Sequence, residues 1–226
     1  ITLALKEMTN PALKESIELM QLSGSRLLDL LNGCIEAAHV DAADVVIQIR
    51  PFTVQGIVNN VFQLFAAAIK HKNIAFNIEY HSSLEPYVDV SWLAAEMAIS
   101  RVLQNLVSNA IKFTDVGGIT ITVKLGDKST EARPLLVFEV KDTGIGIPKD
   151  QLKAMFEKFT KLNTSRDNMY AGSGLGLYVV QKYLDVVGGQ IFVASKEGEG
   201  SVFTVIFPVK ESFLSANEIN PDAHYA

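Results

Sequence analysis

The stretch Leu135-Leu-Val-Phe-Glu-Val-Lys-Asp142-Thr-Gly-Ile-Gly-Ile-Pro148 decides the reading of this chain. Leu135 to Val140 is apolar and rich in residues that suit a pleated, half-buried surface, so it predicts a strand whose end is Lys141-Asp142. Gly144 and Gly146 follow, where the backbone can turn at positive φ and come close to a ligand. A buried aspartate at the head of such a turn accepts a hydrogen bond from an exocyclic amine, which adenine carries and guanine lacks at the same place. The stretch therefore points to a nucleobase pocket at the end of a strand.

Two other segments supply the remaining walls. Downstream, Gly172-Ser173-Gly174-Leu175-Gly176-Leu177 opens a helix with apolar positions Leu177, Val180, Leu184 and Val187, ended by Gly188-Gly189. A glycine-rich helix entrance leaves backbone N–H groups free and presents the positive end of the helix dipole, which together favour a polyphosphate. It is not a Walker loop, because Leu175-Gly176-Leu177 stands where Gly-Lys-Ser/Thr is needed. The dinucleotide fingerprint also fits poorly, since the run is Gly-x-Gly-x-Gly after a long loop. Upstream, a helix is predicted from about Trp92 to Phe113, with Leu103, Leu106, Val107 and Ala110 on a buried face. Arg101, Asn105, Asn109 and Lys112 share another face. Asparagine is a poor helix former, so two of them one turn apart need a reason beyond helix formation. Their amide oxygens can coordinate Mg²⁺, and Lys112 can meet phosphate oxygens. The stripe reads as a metal and phosphate wall.

Around this pocket, helix is predicted over Phe52 to Ala68, and strands over Ile74 to Tyr80, Gly118 to Leu125, Leu135 to Val140, Gln190 to Ser195 and Ser201 to Pro208. The expected fold is α+β: an α/β sandwich of a mixed sheet with three helices on one face. Ahead of it, Pro11 to Ala38 carries Leu13, Ile17, Met20, Gly24, Leu27, Leu31 and Cys34 at alternating steps of four and three, the spacing of a bundle seam. Gly24 interrupts that seam, and Cys34 is expected to be a small buried apolar residue rather than a redox sensor. The division between the helical segment and the nucleotide domain is placed near Val45, and 210–226 reads as a polar tail or linker. With 226 residues, 48% of them hydrophobic, the chain can bury one sizeable core plus a helical piece. A net charge of −5 and a pI near 5.4 argue against nucleic-acid binding. A single cysteine excludes an internal disulfide and suits a reducing, cytoplasmic setting; no apolar run reaches membrane-spanning length, which leaves open a membrane anchor of the parent protein in upstream segments.

Taken together, Asn105-Leu-Val-Ser-Asn-Ala-Ile-Lys-Phe-Thr114, Asp142-Thr-Gly-Ile-Gly-Ile-Pro148, Met155-Phe-Glu-Lys-Phe-Thr160, Gly172-Ser-Gly-Leu-Gly-Leu177 and Gly198-Glu-Gly-Ser-Val-Phe203 resemble the asparagine, glycine and phenylalanine boxes of sensor histidine kinases, of the hybrid type. The resemblance runs from Ala12 to Val209 and implies the GHKL, or Bergerat, ATP-binding fold. It implies that Asn109 ligates Mg²⁺, that Asn105 assists with metal or phosphates, and that Lys112 contacts phosphate. Asp142 would recognise the adenine amine over a turn shaped by Gly144 and Gly146, and Phe113, Ile147 and the second glycine box, Gly172 to Leu177, would complete the ATP site. Residues 160–171 would form a lid, with Phe156 and Phe159 burying aromatic area at its near end. Arg166 in that lid either reaches the γ-phosphate or is a solvated loop arginine.

The gyrase, mismatch-repair and heat-shock chaperone relatives usually carry a glutamate four residues before the metal asparagine, where it activates water. Asn105 stands there instead, and an amide takes no proton from water at neutral pH, so transfer is favoured over hydrolysis. The family's acceptor is a histidine followed by Glu or Asp, which none of His39, His71, His81 and His224 matches. Residues 1–44 are thus expected to hold the end of a first dimerisation helix and the second one, with the acceptor upstream, 45–209 being the catalytic domain. The implied partners are that upstream helix, a receiver domain and, for the parent protein, a second copy. The competing readings are a nucleotide-binding regulatory pseudokinase, a GHKL ATPase, and a mitochondrial dehydrogenase kinase, whose four-helix domain is not visible.

Overall fold

A computed structural model of the chain describes residues 11–42, 47–84, 87–88, 90–126, 134–160 and 173–211. In chain order the elements are α1 (Pro11–Asp41), β1 (Arg50–Thr53), α2 (Val54–Lys72), β2 (Ala75–Tyr80), β3 (Ser91–Ala94), α3 (Glu96–Phe113), β4 (Gly118–Leu125), β5 (Leu135–Asp142), a short 3-10 turn (Ala154–Phe156), α4 (Gly176–Val187), β6 (Gln190–Lys196), β7 (Gly200–Pro208) and β8 (Lys210–Glu211).

Period-2 alternation builds the main sheet, in the order β2-β4-β5-β7-β6, with β2 and β4 parallel and the other pairs antiparallel. Ile119, Ile121 and Val123 on β4, Leu136, Phe138 and Val140 on β5, and Phe203, Val205 and Phe207 on β7 are buried on one face. Thr120, Thr122, Glu139 and Thr204 turn to the other, less buried side. Helices α2, α3 and α4 pack on the buried face with one continuous core. The mixed sheet with helices on one face is the expected α+β sandwich. Phe138 and Phe207 meet edge to face at 6.0 Å in its centre.

A second sheet, β1-β3-β8, was not foreseen and shortens two predicted helices. Phe52 lies in β1, and α2 starts only after Thr53, whose hydroxyl accepts from Gly56 N at 3.1 Å as an N-cap. Trp92 lies in β3, paired with Phe52, and α3 starts at Glu96. Both rings are buried, so short apolar runs that read as helix beginnings are strand instead. Lys210 and Glu211, expected in the polar tail, form β8 on β3. The remainder of that tail, 212–226, lies outside the described residues.

Helix α1 extends past Ala38 to Asp41. Cys34 is exposed, contrary to expectation: none of the described residues covers the face that carries it. Among the described residues no helix is long and apolar enough to cross a membrane.

Candidate nucleotide-binding site

The pocket forms where β5 ends. Asp142 is the last residue of the strand, paired with Ile119 on β4 and Ser201 on β7, so its carboxylate is set into the buried face. Only 5% of it is exposed. Its Oδ1 accepts from Gly144 N at 2.9 Å and from Ser201 N at 3.3 Å, which leaves Oδ2 to face the pocket. Burial raises the carboxyl above its ordinary value of 3.8, and the two N–H bonds draw it only part of the way back.

The turn after Asp142 admits only glycine at its tightest point. Gly146 has φ 69°, and a Cβ there would lie 2.1 Å from the Lys196 carbonyl oxygen. Ile147 N donates to Ser195 Oγ at 2.8 Å, tying the turn to the β6–β7 hairpin. An open pocket of about 370 Å³ results, lined by Asn109, Ala110, Phe113, Asp142, Gly146, Ile147, Leu177, Ser201 and Phe203.

The polar stripe of α3 serves three different neighbours along its length. Arg101 Nε approaches Glu36 of α1 at 3.8 Å. Asn105 Nδ2 donates to the Arg101 carbonyl at 3.0 Å, which turns Oδ1 toward the entrance of α4. A Cβ at Gly176 would lie 3.0 Å from that Oδ1 and 3.8 Å from Asn109 Nδ2, so glycine lets the start of α4 approach the two amides. Asn109 lines the pocket itself. Lys112 Nζ stacks 4.7 Å from the Phe113 ring centroid, beside the pocket wall. Helix α4 begins at Gly176 without a side-chain cap, which leaves its first N–H groups available to an anion. Amide oxygens from Asn105 and Asn109 could join phosphate oxygens in an all-oxygen donor set, the kind that suits Mg²⁺, a cation that retains water and takes few protein ligands. Among the described residues no cluster of three His, Cys, Asp or Glu offers a rival metal site.

Of the expected site residues, Asn109, Phe113, Asp142, Gly146, Ile147 and Leu177 line one pocket, with Asn105, Gly144 and Gly176 directly behind. Leu175 is instead a core residue with 1% exposure, and Ser173 lies under α1, its Oγ 3.1 Å from where a Gly33 Cβ would be. Gly174 packs against the Phe159 backbone. Phe159 is not buried as expected: it is 60% exposed at φ 62°, and Phe156 makes the core contact. Arg166, Gly172 and most of the expected lid lie outside the described residues, as does His224. His39, His71 and His81 are exposed and do not line the pocket. Ser201, Phe203 and Ala110 are pocket residues that sequence reasoning missed. Ser201 and Phe203 sit in the quoted Gly198-Glu-Gly-Ser-Val-Phe203 run, but only the β5–β7 register brings them beside Asp142.

A family model described as histidine kinase-, DNA gyrase B-, and HSP90-like ATPase matches residues 94–211. The chain belongs to this family. Similar curated proteins within it are the autoinducer 2 sensor kinase/phosphatase LuxQ of Vibrio harveyi, 32% identical over 88% of this chain and 23% of that protein. The circadian input-output histidine kinase CikA of Synechococcus elongatus is 32% identical over 86% of this chain and 25% of that protein. The chain thus spans about a quarter of the length of these relatives. Among solved structures, full-length ShkA in complex with AMPPNP superposes with a TM-score of 0.71 at 26% identity, over 92% of this chain and 41% of that one. Like the rest of the family, this is a GHKL ATP-binding fold, with its pocket between α3, the glycine turn and α4.

Proposed function

We propose that the chain is the ATP-binding catalytic region of a sensor histidine kinase. The observation that carries this reading is Asp142, a buried pocket-lining carboxylate with one oxygen satisfied by two N–H groups, which leaves the other for the base. Its Oδ2 accepts the adenine amine, and the polyphosphate extends toward the uncapped start of α4. Asn109, Asn105 and Lys112 flank the phosphates. Asn109, with help from Asn105, would hold Mg²⁺, which would supply positive charge to the polyphosphate. These residues bind and orient ATP so that a histidine nitrogen approaches the γ-phosphorus in line, and most of the rate gain comes from that positioning.

The acceptor histidine belongs to a dimerisation helix that precedes α1, and α1 is the second helix of that pair. The phosphoryl group then passes to an aspartate of a receiver domain in a cytoplasmic relay, the parent protein acting as a homodimer. The catalytic domain extends from about residue 45 to Glu211, since β8 belongs to its small sheet. Asn105 disfavours the hydrolase alternative, because its amide already donates to the Arg101 carbonyl and has no basic site for a water proton.

Two measurements test this. Asn109→Ala is expected to abolish Mg²⁺-dependent nucleotide binding, and tight binding in that variant sinks the metal assignment. A protein carrying the acceptor helix in addition to this chain, incubated with γ-labelled ATP and Mg²⁺, is expected to retain acid-labile, base-stable label. Label released only as free phosphate points to an ATPase, and binding without turnover to a pseudokinase.

A further inference from the structure

The geometry points to Lys72 as a positioning residue for the nucleotide pocket, acting through the C-terminus of α3. A helix end leaves its last carbonyls without intrahelical partners. Here they are all accounted for. Thr114 N takes the Ala110 carbonyl at 3.0 Å, and Ile145 N, from the turn after Asp142, takes that of Phe113 at 3.2 Å. Lys72 Nζ, from the last residue of α2, donates to the Ile111, Lys112 and Thr114 carbonyls at 2.8, 3.0 and 3.1 Å. An ammonium has three protons, and three carbonyl oxygens receive them. It also lies 3.4 Å from Asp115 Oδ1 and places a positive charge at the negative end of the helix dipole.

This clamp matters for the pocket because of what sits between its carbonyls. The Phe113 carbonyl, flanked on both sides by groups that Lys72 holds, is the one that receives Ile145 N. A Cβ at Gly144 would lie 2.4 Å from the same oxygen, so the glycine turn rests directly on the end of α3. Phe113 and Ile147 line the pocket, and Gly144 N holds Asp142 Oδ1. Lys72 thereby fixes the height of the turn relative to α3, and with it the aim of the Asp142 carboxylate, while lying outside the pocket itself.

The inference rests on the nucleotide-binding reading, and the experiment separates the two. ADP binding to the full chain is measured by calorimetry with and without Mg²⁺, alongside amide hydrogen exchange, for wild type, Lys72→Met, Lys72→Gln, Lys72→Arg and the exposed neighbour control Lys70→Met. Failure of wild type to bind ADP refutes the nucleotide reading, and with it this inference. If wild type binds, Lys72→Met is expected to weaken ADP by about tenfold and to speed exchange at the Ile145 amide selectively, leaving β6 and β7 amides unchanged. Lys72→Arg is expected to restore most of the affinity, and Lys70→Met to match wild type. Should Lys72→Met not fold, Lys72→Gln is read in its place. Unchanged ADP affinity in a folded variant overturns the assignment, as does faster exchange spread evenly over β4 to β7, which marks a general structural role. Failure of both neutral variants to fold overturns it too, since Lys72 then serves folding rather than aim.

Discussion

Helices α1 and α3 are both amphipathic, and the two are completed in opposite ways. Every apolar residue on the inner face of α3, from Ala98 to Ile111, is buried against the sheet or its neighbouring helices. On α1, Leu13, Met20, Leu27 and Leu31 are 51–73% exposed, and the buried apolar residues lie in its last turns. There Ala37 and Val40 are buried, Gly33 lies against Ser173, and Asp41 accepts from Lys158 Nζ at 2.5 Å and from the Tyr178 hydroxyl. Apolar surface drives folding only where something covers it. The nucleotide half of the chain therefore buries its apolar faces in one core, whereas most of α1 presents a seam that the described residues leave uncovered.

A glycine-to-alanine change is the sharpest probe of that contrast, because the same methyl group meets a filled site in one region and open space in the other. The largest effect is expected from Gly146→Ala. Its φ of 69° and the 2.1 Å approach of the Lys196 carbonyl leave no room for a Cβ, so the turn must move. A loss of roughly 2–4 kcal/mol of stability and no measurable ADP binding are expected by thermal melting and calorimetry. Normal binding in this variant breaks the claim that the turn is closed.

Asp142→Asn comes next and separates function from stability. The new Oδ1 keeps its bonds from Gly144 and Ser201, so the side-chain nitrogen takes the place of Oδ2 and sets one donor against the adenine amine. ATP affinity is expected to fall roughly a hundredfold. The apo protein should gain stability at neutral pH, since the folded carboxyl lies above its ordinary value of 3.8 and its charged form is penalised by burial. The sign follows: the wild-type group favours the fold at pH below its unfolded value and loses that contribution as pH rises through its folded value. The advantage of the variant therefore grows over that interval and vanishes in acid. An advantage that is independent of pH rules out ionised Asp142 as its source.

These effects also mark how far the sequence could be read. The pocket was legible because its parts are local: a strand ending in Asp142, glycines at fixed offsets, and asparagines at helical spacing. The five strands of the main sheet were likewise legible, since alternation and glycine boundaries are properties of short windows. What escaped depends on distant pairing. Phe52 and Trp92 read as helix beginnings because a short apolar run has no period of its own, and only their mutual pairing makes them strand. Ser201 entered the site through the β5–β7 register, which no local pattern encodes. Cys34 was expected to be buried because it falls at the seam spacing, yet no described residue covers it, and spacing alone does not say what lies opposite.

A smaller effect is expected where the two regions meet. Asp41→Asn removes the charge that receives Lys158 Nζ and the Tyr178 hydroxyl, and amide exchange in the last turns of α1 should quicken by about two- to fivefold. The Lys158 bond and then the Tyr178 bond hold the Asp41 carboxyl below its ordinary value of 3.8. Its contribution is present above the unfolded value and is lost as pH falls through the folded one, the reverse of Asp142. Equal exchange in wild type and variant at neutral pH means that Ala37 and Val40, rather than the ion pair, hold the end of α1.

The smallest effect, and the one that tests the contrast most directly, belongs to Gly24→Ala. Gly24 lies within exposed α1, and a Cβ there would meet nothing within 4 Å. Alanine relieves the entropic cost of glycine in a helix, so stabilisation of about 0.5–1 kcal/mol is expected, read as higher helicity and a later melt of α1 by circular dichroism. ADP affinity should not change, because a Cβ at Gly24 touches nothing and Gly24 does not line the pocket. The opposite sign carries its own meaning. If Gly24→Ala lowers helicity in a concentration-dependent way, the glycine is in close contact with a second helix in solution, and the open seam of α1 is filled by another copy of the chain.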